Sequence, residues 1–217
     1  LDVFEGRMLL ILELEALRDA MMAEEDVLRK QHLNNALQFR AQKQSNEAQQ
    51  TAENAQELNE GLAEYTGMML SNRTAEELKK HFNQQIDIFY SNPTFVRSFA
   101  YQTIPLYGYL LSSEYPDWHK EITKETNLTN YFLEAFEVQT DEKIAYEVLA
   151  QQYNYDYDQY LSKEQKREEE RLAKIATYIQ KFVKDTNFKI AFQQMNMSFD
   201  PRNIMPLESY GTLYPTI

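Results

Sequence analysis

The chain has 217 residues, 43% of them hydrophobic and 13% aromatic, which is enough apolar surface to enclose one core and excludes an intrinsically disordered chain. Its 34 acidic residues outnumber 22 basic ones, and the resulting charge of −12 repels phosphate backbones and anionic headgroups. No nucleic-acid partner and no membrane insertion are therefore expected, and the absence of cysteine excludes disulfides, thiolate metal sites and cysteine nucleophiles.

The chain opens on Leu1, and a helical pattern is already running by Phe4, so a preceding segment is expected. From Phe4 to Ala20 the apolar residues Phe4, Met8, Leu9, Leu12, Leu14 and Leu17 recur mostly three or four apart, which predicts a buried helix. A more polar pattern from about Glu24 to Gln44 predicts a second helix folded back on the first. The stretch "QKQSNEAQQTAENAQ" has no glycine or proline and is expected to be a mobile connection into a third helix ending near Leu70. Thr74 with Glu77 three residues on forms a capping-box pattern that predicts a fourth helix, stopped by "SNP" at 91–93.

The segment "TFVRSFAYQTIPLYGYLLSS" predicts a fifth helix with a kink or break around Thr103 and Ile104, ahead of Pro105. Shorter helices are expected near 128–137 and 141–152. The charge-dense run "YLSKEQKREEERLAKIATYIQKFVKD" predicts a long amphipathic helix with paired charges. Alternation in "NFKIAFQQMNMSFDP" predicts one or two short strands. The expected fold class is mainly α: a single multi-helix domain over residues 1–217 with a short extended or β-hairpin C-terminal segment.

The third helix poses a question of charge. On a wheel of about 100° per residue, Leu58, Leu62, Tyr65 and Met69 share one side, and Glu53, Glu57, Glu60 and Glu64 share the other. A solvated face is the ordinary reading. Against it, like charges four apart each cost a few tenths of a kcal/mol, and a mid-helix glycine such as Gly61 costs about 1 kcal/mol relative to alanine. A cation near Glu60 would turn the repulsion into ligation, and a glycine beside it would let another backbone approach.

The stretch "LNEGLAEY" at 58–65 resembles the third-ligand helix of the gluzincin metallopeptidases, above all the aminopeptidase-N-like enzymes, whose pattern is close to "LNEGFAEY". In that family the glutamate after the asparagine binds zinc, so the resemblance implies Glu60 as a metal ligand and zinc as cofactor. "AYQTIPLYGYLL" at 100–111 resembles the family's downstream segment, in which a tyrosine steadies the tetrahedral oxyanion. Tyr101 is the first choice for that role and Tyr107 the second, beside the reading that both pack in the core. Glu64, one turn beyond Glu60, would orient the site or meet a substrate amine. Over most of its length the chain also resembles bacterial proteins of peptidase type that share "EGR", "NEGLAEYTG", "SFAY" and a terminal "SFDP" with "YPT".

The gluzincins take two zinc ligands and a general base from HExxH, two imidazoles one helical turn apart. This chain has no HExxH. His32, His81 and His119 lie in separate segments and each reads as an ordinary surface or partly buried histidine. The motif is therefore expected ahead of Leu1, with a peptide or protein as substrate and this fragment inactive alone. Two other readings stay open: a relative that has lost its metal, and an acidic helical module whose glutamates recognise a basic partner.

Overall fold

Helix α1 (Phe4–Met22) is apolar on almost every face, and in the computed structural model, which describes residues 1–141, 143–188, 193–194 and 204–213, it is buried nearly end to end. Met8, Leu10, Leu12, Leu14, Ala16 and Leu17 are wholly enclosed, and so is Glu13. Such a helix has to be wrapped by others. Helix α2 (Asp26–Lys43) doubles back along it, burying Leu33, Ala36, Leu37 and Phe39, so the expected helical hairpin is present.

The glutamine-rich stretch is helical rather than a connection. Asn46 caps helix α3 (Glu47–Gln56) by accepting the Gln49 backbone N–H at 3.1 Å, and nothing after it breaks the turn pattern. A wide π-turn over Glu57–Gly61 follows, with the Leu62 N–H reaching back five residues to the Glu57 carbonyl, and helix α4 (Leu62–Met69) continues the rod. Helix α5 (Ala75–Phe89) begins at the expected capping box, in which the Thr74 N–H donates to Glu77 Oε2 at 2.8 Å.

Helix α6 (Ala100–Ser112) runs through Pro105 without interruption at Thr103 or Ile104. Thr103 and Ile104 are wholly buried, and that packing holds the turn that proline would otherwise loosen. Proline still removes one donor, so the Tyr101 carbonyl receives no hydrogen bond from position 105. Helices α7 (Leu128–Ala135), α8 (Tyr146–Gln152) and α9 (Tyr157–Ile179) are the remaining α-helices among the described residues.

The chain divides into two compact units, residues 1–161 and 162–217. The first holds α1 to α8 and the opening turn of α9. The second holds the rest of α9, laced by Glu164–Arg167 and Glu168–Arg171 pairs at 2.6 Å, and a small core of Ile175, Ile179 and Leu207. Its strands β1 (Met205–Pro206) and β2 (Thr212–Leu213) pair antiparallel, Met205 with Leu213. The fold is thus mainly α with a short C-terminal hairpin. Most of the stretch expected to alternate as strands, 189–192 and 195–201, lies outside the described residues. Among the described residues no helix is long and apolar enough to cross a membrane.

Candidate functional site

The helix carrying the acidic strip does not present it as a single solvated face. Glu53, Glu57, Gly61, Tyr65 and Met68 are its buried residues, while Leu58, Leu62 and Met69 are only partly covered. On an unbroken α-helix a four-residue spacing drifts by about 40° at each step. The π-turn absorbs the excess between Glu57 and Gly61, which keeps 53, 57, 61 and 65 on one line. An ideal wheel has no such turn, so the even α-period placed Glu53 and Glu57 on the wrong side.

Both inward carboxylates enter a buried ionic network. Glu57 accepts Arg40 Nη1 at 2.8 Å on one oxygen and Arg40 Nη2 on the other, and the Thr103 hydroxyl donates to it at 2.8 Å. Arg40 also donates to Glu13 at 3.1 Å and to Thr129 at 2.7 Å. Lys43 reaches Glu13 at 2.6 Å and Glu53 at 3.7 Å. Burial alone pushes the Glu53 carboxyl up, but Lys43 and hydrogen bonds from Gln49 and Gln44 outweigh it and hold the group below its usual range. Arg40 and Glu57 are both 0% exposed, so each depends on the other for its charge to be tolerated.

Gly61 is where α6 comes closest. A Cβ there would stand 2.6 Å from Ile104 Cγ1 and 3.0 Å from the Ala100 carbonyl oxygen, so the glycine admits a neighbouring backbone, as anticipated. That backbone belongs to the chain itself. Farther along, Tyr65 is fixed by Ser112 of α6 at 2.7 Å and by the Trp118 indole N–H at 3.1 Å.

Glu60 and Glu64 face the other way. Both are partly exposed, and neither has a cationic partner within ion-pair distance among the described residues. Tyr101, on the facing helix and 38% exposed, has the Glu60 carboxylate near it; that acceptor, with burial and the charge of Glu64 adding to it, raises the phenol above its usual range. Three of the four anticipated site residues therefore meet on one surface. Tyr107 does not join them. It is 0% exposed, donates to Glu13 at 3.1 Å and stacks on Phe132, and its burial and that carboxylate push its phenol up strongly.

The histidines lie in three places. His32 pairs with the Tyr155 hydroxyl at 2.6 Å, His81 stands on α5 near Arg73 and Glu64, and His119 packs on Tyr65 and Trp118. Among the described residues no group of three or more His, Cys, Asp or Glu side chains could hold a metal ion. Glu60 fits as one donor: a partly exposed carboxylate without a cationic partner among the described residues. A cavity of about 620 Å³ lies elsewhere, lined by Glu5, Leu9, Gln38, Gln42 and Tyr146 among others.

Sequence reasoning missed the ionic network. Its signal was present in Glu13 and Glu15, two carboxylates inside the otherwise apolar "LLILELEAL", which an enclosed helix tolerates only opposite buried donors. No protein-family model, curated protein or solved structure matches the chain.

Proposed function

We propose that the chain contributes Glu60 as one zinc ligand, and Tyr101 as a neighbouring hydroxyl donor, to a gluzincin-like metallopeptidase centre whose imidazole ligands and general base come from outside these 217 residues. The carrying observation is an unneutralised, solvent-reachable carboxylate on a turn packed against α6 at Ile104 and Ala100, with the exposed Tyr101 of that helix near it, at the positions that the "LNEGLAEY" and "AYQTIPLYGYLL" resemblances select. Zinc held there would supply a Lewis acid and an activated water for peptide hydrolysis. Tyr101 would donate to the developing oxyanion, a role for which an exposed hydroxyl is suited and the enclosed Tyr107 is not. Glu64, one turn on, would meet a substrate amine.

The acidic-module alternative draws less support. Two of the four glutamates on its recognition face, Glu53 and Glu57, are already committed to Lys43 and Arg40.

The test is metal content in the full-length gene product after dialysis against a chelator and readdition of zinc. One zinc per chain is expected, lost in Glu60→Ala and kept in Tyr101→Phe, with peptide hydrolysis falling in both. Zinc content unchanged by Glu60→Ala, or no zinc in the parent, would overturn the proposal.

A further inference from the structure

We infer that Glu57, Arg40 and Thr103 are positioning residues for Glu60: their buried bridge, together with the Gly61 contact, holds the π-turn on α6 so that the Glu60 carboxylate stays beside the Tyr101 hydroxyl. Where it concerns zinc, this rests on the function proposed above; the geometry itself does not.

Glu60 lies between two residues that are each locked to α6. Three positions before it, Glu57 accepts the Thr103 hydroxyl and a two-pronged contact from Arg40. One position after it, Gly61 lies against Ile104 and the Ala100 carbonyl. Across the gap, Tyr101 is bracketed by the same α6 residues, Ala100 before it and Thr103 two positions later. The two surface groups thus inherit their separation from buried contacts on either side.

A π-turn is a poorer helical turn than an α-turn and needs something to keep it. Here the buried carboxylate does so. If the turn relaxed to α geometry, the Glu57 position would swing about 40° off the line through Gly61 and Tyr65. That motion would draw a charge out of its bond with Arg40, which is enclosed with no route to solvent. The bridge therefore opposes the relaxation, and the turn that carries Glu60 keeps one geometry.

The test uses full-length protein and two readouts, the nuclear Overhauser contact between the Tyr101 ring and the Glu60 methylenes, and the zinc Kd. Thr103→Val removes the hydroxyl at nearly constant volume, and Glu57→Gln removes the charge. Both should lose the contact and bind zinc about ten-fold more weakly or worse, the range typical of groups that orient a metal ligand. Thr103→Ser, which keeps the hydroxyl, should behave as the parent.

Tyr90→Phe is the control. It removes a buried bond to Glu15 at 2.8 Å in another part of the core and should lower Tm with both readouts unmoved. If Thr103→Val keeps the contact and the zinc Kd while Tm falls, the bridge is merely structural and the inference is overturned. Should Glu57→Gln fail to fold, Thr103→Val decides alone. Should the parent bind no zinc, the peptidase proposal fails, and the Overhauser contact in parent, Val and Ser variants still decides the positioning.

Discussion

Replacing Arg40 by methionine is the sharpest probe of the buried network, because it keeps much of the side chain's length and removes its charge. Arg40 makes four hydrogen bonds: two to Glu57, one to Glu13 and one to Thr129. Lys43 stays on Glu13 at 2.6 Å, so Glu57 alone loses all cationic contact and keeps only the Thr103 hydroxyl. Removing one partner of a buried pair typically costs about 3–5 kcal/mol. In a protein of this size each kcal/mol shifts Tm by about 2–4 °C, so Tm should fall by roughly 6–20 °C. The loss is a large part of a typical total stability of about 5–15 kcal/mol.

The assay is urea unfolding followed by circular dichroism, with an unchanged m-value expected. Adding Glu57→Leu should recover much of the loss, since an apolar replacement of both partners leaves no stranded charge. A deficit below about 1 kcal/mol would refute the burial on which this reasoning stands.

Other consequences can be checked in the same way. Gly61→Ala should destabilise by about 1–3 kcal/mol despite its better helix propensity, because the new methyl meets Ile104 and the Ala100 carbonyl; Gly67→Ala, with no atom within 4 Å, should stabilise by up to about 1 kcal/mol. Paired thermal melts decide this, and equal shifts would refute it. Thr74→Ala should remove about 1 kcal/mol by opening the capping box of α5, seen as a lower urea midpoint at constant m. His32 is depressed by burial, with Asp19 opposing, so its neutral form contributes stability that is present above the ordinary pKa near 6.5 and lost as pH falls through that value toward the folded one. His32→Asn should make the dependence of Tm on pH shallower below about pH 6.5, and an unchanged slope would count against the burial of His32.

The helices were legible where a single physical rule decides them. The broad apolar face of α1 predicts its burial, and Thr74 with Glu77 predicts the start of α5. The α3 stretch was misjudged because polarity and glutamine content look the same in a solvated helix and in a mobile connection; what decides is the Asn46 cap. Pro105 predicts a kink or a break in α6, and the helix is unbroken: a break depends on whether neighbouring contacts hold the turn, and the burial of Thr103 and Ile104 is invisible until α6 is docked. Propensity is local, and these two outcomes were tertiary.

The acidic strip failed as a pattern for a related reason. A helical wheel assumes one period, and the π-turn changes the period inside the motif of interest. Of four glutamates that look equivalent in the sequence, Glu53 and Glu57 turn inward to neutralise Lys43 and Arg40, and Glu60 and Glu64 turn outward without a cationic partner among the described residues. The two pairs depend on each other. Repulsion along the strip is tolerated because its inner half is compensated in the core, and the compensated half anchors the turn from which the outer half projects. The oddity of a glycine within a charged helix then has a physical source: only a residue without a side chain lets α6 come close enough for Thr103 to reach Glu57.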